Sequence, residues 1–548
     1  MENKILNKMT RKFQLLLLTM SLIVIQGCSE NFLETVPTDA ISDGAAYSNL
    51  DNIALVLNGL HRQIYSSELE GGSGSRNGES FFMPALDFMA GEVIHTGPGF
   101  GWQKSEARWL THTNANFTTT FNFWFQRYHF IQSSNAIISS IEGNPDFPET
   151  TQRDDLLGQA YAYRAWSYWR LVSTYAKGYI IGNPSTDPGV PLILSQGAPF
   201  EGAPRATVEE VYDQIETDIN TAISLLQNVP TPSGVEAKSN ITENVAQGIK
   251  ARVALSKGDW STAASAAAAA KDGFPLFTEE EWHAGFNSVS LPEVMWASRI
   301  IDTESNFFAS YFYYISFMFN GGECRGNNKI MNIQLYNSIP ATDHRRKAWL
   351  PDAPNTNSAA YNGEGGSAAA DPNYDDEATF QAAKAAIIAE YGATSRHNTH
   401  PYMNVKFKQS RPGTNNPDDV IYMRTAEMYL IEAEAKAMMN DIPGAQDVLG
   451  EFAITRDPAF DKTAFTTREQ LMDQIKFQRR VELWGEGFGF HDKIRWDEGI
   501  DLTDSGASLS IYNDGFIQAR PSVNDAWIWK IPQQEIDSNP FLTEADQN

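Results

Sequence analysis

The sequence predicts a mainly α-helical protein, a tetratricopeptide-like scaffold of helical hairpins with irregular loop and short-strand excursions. Apolar residues recur at three- and four-residue steps in both halves of the chain. Two distant segments share one helix–turn–helix pattern. Between them the composition shifts to glycine, asparagine and aromatic residues, which predicts the excursions.

At the start, Lys4, Lys8, Arg11 and Lys12 lead into an apolar run from Phe13 to Ile25, broken only by Gln14, Thr19 and Ser21. This is a basic n-region and an h-region, too short to span a bilayer, which takes about 20 apolar residues. In Gln26-Gly27-Cys28-Ser29-Glu30 the small residue before the cysteine marks a lipoprotein cleavage site. Residues 1–27 are therefore expected to be a signal peptide and Cys28 the lipidated N-terminus; the other reading is an ordinary secretory signal with Cys28 incidental. Cleavage removes four positive charges and one negative, taking the net charge from −26 to about −29. No nucleic acid is expected as a partner, because such binding is dominated by phosphate neutralisation. Attachment to a membrane must come from the lipid rather than from a basic patch. With Cys28 used by the anchor, Cys324 has no disulfide partner.

Residues Gly71 to Gly101 read as a loop-rich zone. A helix follows from about Asp154 through Tyr175, with Leu157, Tyr161, Arg164, Ala165, Tyr168, Trp169 and Val172 on one side, ending near Gly178. Thr207-Val208-Glu209-Glu210 is a capping box, and Val211, Ile215, Ile219, Ala222 and Leu226 form one apolar face before Pro230. The repeated unit is Ala251-Arg252-Val253-Ala254-Leu255 with Gly258-Asp259-Trp260 and Ala263, matched by Glu434-Ala435-Lys436-Ala437 with Asn440-Asp441-Ile442 and Ala445. Small residues let the paired helices pack closely, and the polar turn sets the hairpin. Residues 274–350 hold strand-like pieces such as Val294-Met295-Trp296-Ala297, and an exposed-looking aromatic run, Phe307 to Tyr314. Residues 351–395 read as an insertion around one helix, Ala378 to Tyr391. Ligand contacts are expected in these excursions, since loops carry function where a rigid frame holds them.

No H-E-x-x-H, G-x-S-x-G or phosphate-loop sequence is present. Among 68 acidic residues no chosen pair is informative for glycoside hydrolysis. His397 and His400, three apart in a polar loop, read as solvated side chains. No cofactor or metal ligand set is evident; a structural calcium is left open by the many acidic loops, although no EF-hand spacing appears. The most distinctive charged string is Gln478-Arg479-Arg480-Val481-Glu482-Leu483-Trp484-Gly485-Glu486-Gly487-Phe488-Gly489-Phe490-His491-Asp492-Lys493-Ile494-Arg495-Trp496. With Arg479 and Glu482 three apart on a helix, it reads as a structural ion-pair network beside a core tryptophan.

This string resembles the R-R-x-E-L-x-x-E-G-x-x-F-x-D-x-x-R-W signature of the SusD/RagB family of Bacteroidetes outer-membrane lipoproteins. Further segments resemble that family in the same order: Gly189-Val190-Pro191-Leu192 with Arg205-Ala206-Thr207-Val208-Glu209-Glu210-Val211-Tyr212; Ala251 to Trp260; Thr342-Asp343-His344-Arg345 (D-x-R); Arg424-Thr425-Ala426-Glu427 (R-x-A-E); and Ile531-Pro532-Gln533-Gln534-Glu535-Ile536-Asp537-Ser538-Asn539-Pro540. The start agrees too, with Cys28-Ser29-Glu30-Asn31-Phe32-Leu33-Glu34, where serine and acidic residues resemble a surface-export signal.

The resemblance implies one SusD-like unit over 28–548, with an N-terminal part of about 28–230 and a C-terminal part of about 240–548. It implies a non-enzymatic, lipid-anchored outer-membrane protein, facing outward, that captures oligosaccharide or polysaccharide for a SusC-type TonB-dependent transporter. The alternatives are a lid or receptor for a peptide or other non-carbohydrate nutrient, and a surface glycoside hydrolase. Sugar rings present flat C–H faces to Trp and Tyr, while polar groups bond the hydroxyls. On that chemistry Trp102 is the expected sugar platform, with Gln103 and Arg108 beside it, Trp109 second, and Tyr311, Tyr313 and Tyr314 an opposing wall. Trp124, Trp166, Trp169, Trp260, Trp296, Trp484 and Trp496 are assigned to the core.

Overall fold

Helices form where the apolar periodicity places them. In the computed structural model the capping box at Thr207 opens the helix Val208–Leu226, whose Val211, Ile215, Ile219, Ala222 and Leu226 are all buried. The Thr150 hydroxyl caps the helix Thr151–Tyr175, whose aromatic side is core. The structure describes residues 43–65, 78–97, 101–195, 202–231, 234–301, 310–357, 366–508, 511–512 and 516–548. The expected signal peptide, Cys28, the Phe32-Leu33 pair, residues 71–77, 98–100 and 307–309 lie outside them. By internal contact the chain divides into residues 1–55 and 56–548. The first unit's described part holds the helix Asp43–Ala46 and the start of the helix Leu50–Gln63; the remaining description concerns the second.

The repeated unit is two helical hairpins built the same way. Glu243–Lys257 turns at Gly258 (φ 78°) into Trp260–Ala270, and Thr425–Met438 turns at Asn440 (φ 62°) into Ile442–Ala453. In each, a left-handed residue ends the first helix and the following aspartate caps the second, Asp259 accepting from Thr262 N and Asp441 from Gly444 N. Glycine and asparagine are the residues that tolerate that backbone. The hairpins pack on each other through Trp260–Ala270 and Thr425–Met438, and Thr118–Glu142 packs against Thr151–Tyr175 in the same manner. The fold is mainly helical with few, short strands.

Between the hairpins the excursions are stitched together by sheet. Val294–Ser298 pairs antiparallel with Val420–Arg424 through two register shifts. A four-stranded antiparallel sheet runs Val93–His95, Lys329–Met331, Met403–Asn404, Trp349–Leu350. Several expectations need correction. The loop-rich zone contains the helix Glu79–Met89, every residue of which is buried. The described part of the aromatic run is not exposed, because Tyr311–Ile315 is a short buried helix. His397 is fully buried, its ring nitrogens placed against Thr394 and the Phe319 carbonyl. Trp260 and Trp496 are half-buried, whereas the other tryptophans assigned to core are buried. The inserted helix, Glu377–Tyr391, buries only Phe380.

The charged string does form an ion-pair network, but with other partners than helix spacing suggests. Helix Arg468–Glu482 ends before two left-handed glycines, Gly485 and Gly487, and a new helix runs Gly489–Trp496. Arg479 pairs with Asp492 (2.9 Å), not Glu482. Glu482 instead receives Arg345 (3.1 Å), Arg424 (3.0 Å) and Arg456 (3.1 Å), plus the Trp282 indole N–H (3.1 Å). Arg424 also grips Glu486 with two nitrogens (2.7 and 2.8 Å) and bonds Glu293, which the register Val294↔Arg424 brings alongside. Arg345 doubles onto Asp343, and Lys406 bonds Glu486 (2.7 Å) and the Glu482 and Trp484 carbonyls. Four cations thus meet four carboxylates, and all eight residues are buried. Arg252 closes on Glu427 nearby (2.6 Å).

Burial would raise the carboxyl pKa of Glu482, but three arginines outweigh it and hold it well below the usual range; Glu486 and Asp492 are likewise held down. As pH falls, protons bind the unfolded chain first. The stability these groups contribute is therefore complete above about pH 4.5, the free glutamate value, and is lost as pH drops through the lower folded values; urea melts across pH 3–6 are expected to show that slope. Glu482→Gln removes the shared charge and strands three buried arginines, and is expected to cost about 3–5 kcal/mol by urea unfolding at pH 7.

Candidate functional site

The excursion carrying Trp102 is held in an unusual backbone. Gly101 (φ 70°), Gln103 (φ 61°) and Trp109 (φ 59°) all lie in the left-handed region, which costs a non-glycine residue about 1–3 kcal/mol. Two hydrogen bonds hold it there. Gln103 Nε2 donates to the Phe81 carbonyl (2.9 Å) and Trp109 Nε1 to the Met89 carbonyl (2.8 Å), both on the buried helix Glu79–Met89. Gln103 and Trp109 are buried, and the Trp109 ring is walled in by His112, Phe490, Phe516 and Trp527. These two residues are staples of the segment, and neither offers a face to a ligand.

Trp102, immediately before the Gln103 staple, is half-buried. Its indole stands edge-on to Tyr313 (6.0 Å) and Tyr314 (6.1 Å), so the structure does bring these three together. Tyr314 is fully buried against Phe81, and Tyr311 is buried with its hydroxyl donating to the Gly485 carbonyl (2.8 Å). Tyr313 is backed by Phe319 (5.9 Å) and by Gly321, where a Cβ would sit 2.7 Å from the ring. The expected wall is thus a buried backing for Trp102 rather than an opposing exposed surface. Arg108 is half-buried; its backbone N–H donates to the Lys104 carbonyl (3.1 Å), and its guanidinium has no hydrogen-bond or ion-pair partner among the described residues.

Sequence reasoning missed the polar groups behind this aromatic cluster. The register His95↔Lys329 sets those two residues opposite each other. Lys329 Nζ donates to Glu323 Oε1 (2.6 Å), Asn327 Nδ2 to Glu323 Oε2 (2.9 Å), and His95 Nε2 lies 3.2 Å from the Trp102 carbonyl and 3.6 Å from Glu323. Burial would raise the Glu323 pKa, but the Lys329 charge and the His95 contact hold it at about 2. Cys324 is buried with its thiol on the Tyr313 carbonyl (2.8 Å), and burial pushes that thiol well up. Half-buried Arg325 bonds Asn320 Oδ1 (2.9 Å), and its charge acts on the Tyr313 hydroxyl. The turn sequence Asn320-Gly321-Gly322 straight after the aromatic run was the available signal. The arrangement is an aromatic corner with arginine and asparagine near it, suited to an apolar ring face bearing hydroxyls.

Two family models match the chain. One, described as starch-binding associating with outer membrane, covers residues 91–255; the other, described as the SusD family, covers residues 305–548. SusD-like protein P38 of Formosa agariphila is 22% identical over 513 residues, 89% of this chain and 91% of its own. A SusD-like carbohydrate binding protein from Bacteroides vulgatus superposes with a TM-score of 0.70 at 24% identity, over 91% of this chain and 98% of that one. Surface glycan-binding protein A from Bacteroides fluxus does so with a TM-score of 0.61 at 16% identity, over 91% and 98%. Those likenesses show the shared fold, and the signature residues Asp343, Arg345, Arg424, Glu482 and Glu486 meet in one buried network. With the two models together matching about three quarters of its length, this chain belongs to the SusD family.

Proposed function

We propose that this protein is a binding protein, not an enzyme, which captures oligosaccharide or polysaccharide at the cell surface and passes it to a SusC-type TonB-dependent transporter. Residues 1–27 act as a lipoprotein signal peptide, and Cys28 carries the lipid that holds the mature 28–548 unit on the outer face of the outer membrane. Family membership supports the role, as does the match of residues 91–255 to a family model of starch-binding proteins associating with the outer membrane. The observation that carries the ligand chemistry is Trp102, half-buried and edge-on to two tyrosines, next to a segment stapled at Gln103 and Trp109. Trp102 is the platform, Tyr313 and Tyr314 set its angle, and Arg108, Arg325 and Asn320 bond hydroxyls. Gln103, Trp109 and Tyr311 serve the site by holding it.

The test is retention of the soluble chain from Ser29 onward in affinity gels cast with a panel of polysaccharides, followed by calorimetry with oligosaccharides. At least one glycan is expected to bind without release of reducing sugar. Silence across the panel would overturn the carbohydrate reading in favour of a peptide or other nutrient, and released sugar would overturn the non-enzymatic one. Trp102→Ala is expected to weaken the glycan by about tenfold or more, roughly 1.4 kcal/mol, with little change in thermal midpoint. Trp109→Ala is expected to do the opposite in kind, lowering stability by about 3–5 kcal/mol through loss of a packed, hydrogen-bonded indole. Unchanged affinity in Trp102→Ala would remove that residue from the site.

A further inference from the structure

Away from the aromatic corner, one cluster has metal-ligand chemistry that neither the fold nor the binding role uses. Glu279 and His283 are four apart, on the short helix Glu279–Trp282 and its C-cap, and so share a face. His344 comes from the Asp343-His344-Arg345 turn. The ligand atoms of all three lie within 4.8 Å of one another. His344 Nδ1 and His283 Nε2 are 3.2 Å apart; two nitrogens bound to one tetrahedral zinc at about 2.0–2.1 Å stand roughly 3.4 Å apart.

The groups around the imidazoles suit a metal as well. His344 Nε2 lies 3.2 Å from the Thr455 carbonyl, so its proton resides there and the Nδ1 lone pair points at His283. A ligand imidazole bonded to a carbonyl through its other nitrogen is the usual arrangement around a protein-bound metal. His283 Nε2 now donates to the His344 carbonyl (3.1 Å) or to Nδ1; taking its other neutral tautomer frees a lone pair for the same point. Among the described residues the Glu279 carboxylate bonds Lys347 (2.7 Å), a pair with side chains 54% and 70% exposed. Such an ion pair is worth little, and a dication displaces it readily.

We propose that Glu279, His283 and His344 form a site for a divalent transition cation, zinc foremost, with its fourth position open to solvent. Two imidazoles and one carboxylate select zinc over calcium or magnesium, which take oxygen ligands. Lys347, Lys408 and Arg456 stand close enough to act on these groups and oppose a dication, so binding is weaker than in a closed four-ligand structural site. The metal would fasten the Glu279–Trp282 helix to the turn that supplies Asp343 and Arg345 to the buried network, bracing the scaffold.

Calorimetry of the purified protein with Zn²⁺ at pH 7.5 is expected to give one site per chain, a raised thermal midpoint, and no response to Ca²⁺ or Mg²⁺. Co²⁺ is expected to give the visible bands of a four-coordinate site. His283→Gln should cut Zn²⁺ affinity by at least about tenfold and Glu279→Gln by less, both in folded protein because neither side chain is core; glycan binding should be unchanged in each. His344 is buried and is left intact. No Zn²⁺-dependent shift, or wild-type affinity and cobalt bands in both variants, would overturn the proposal.

Discussion

A single buried carboxylate, Glu482, organises this molecule. A charge taken out of water is too costly to leave alone, and Glu482 is compensated only because Arg345, Arg424 and Arg456 converge on it from three separate parts of the chain. Those arginines in turn need Asp343, Glu293 and Glu486, and Lys406 completes the balance. The cluster is satisfied only when the strand Val420–Arg424, the helix Arg468–Glu482 and the Asp343–Arg345 turn are all docked. Breaking one member leaves others uncompensated, so it acts as a lock on the arrangement rather than as a sum of pairs.

The lock also positions the excursions. Arg345 sits just before the strand Trp349–Leu350, and Lys406 just after Met403–Asn404, two neighbours in the four-stranded sheet. The next strands in that sheet carry Lys329 and His95. His95 reaches the Trp102 carbonyl. A continuous chain of hydrogen bonds and strand pairings therefore runs from the ionic core to the aromatic corner, although the corner is built from segments with no helical periodicity of their own.

That division explains what was legible in the sequence. The capping box at Thr207, the apolar face behind it and the Gly258-Asp259 and Asn440-Asp441 turns are local signals, each acting within a few residues, and the helices form accordingly. The ionic network was legible only in part, because just two of its eight members, Glu482 and Glu486, lie in the charged string. Its pairings were not, since Glu482 finds partners 26, 58 and 137 residues away. The burial of Tyr311 to Tyr314 was likewise hidden. A run of aromatic residues has no period to distinguish a wall from a core, and its cover comes from Phe81, Phe407 and Trp102, remote in sequence. The Trp102 cluster was found by composition, while Glu323, Lys329 and His95 behind it depended on strand register.

The stapled segment shows how such a corner can serve binding. Left-handed Gln103 and Trp109 are costly backbone states, sustained because each side chain bonds a carbonyl of the same buried helix. The backbone that follows Trp102 is thereby fixed. A ligand that meets an aromatic face already fixed in place does not bear the ordering cost that a loose loop would impose. In the proposed binding role, packing Trp109 and bonding Gln103 hold the strained backbone beside Trp102, whose indole stands edge-on to two tyrosines. Under that proposal the residues that hold the platform are buried and the one that presents it is half-buried, which is the distribution of burial across Gln103, Trp109 and Trp102.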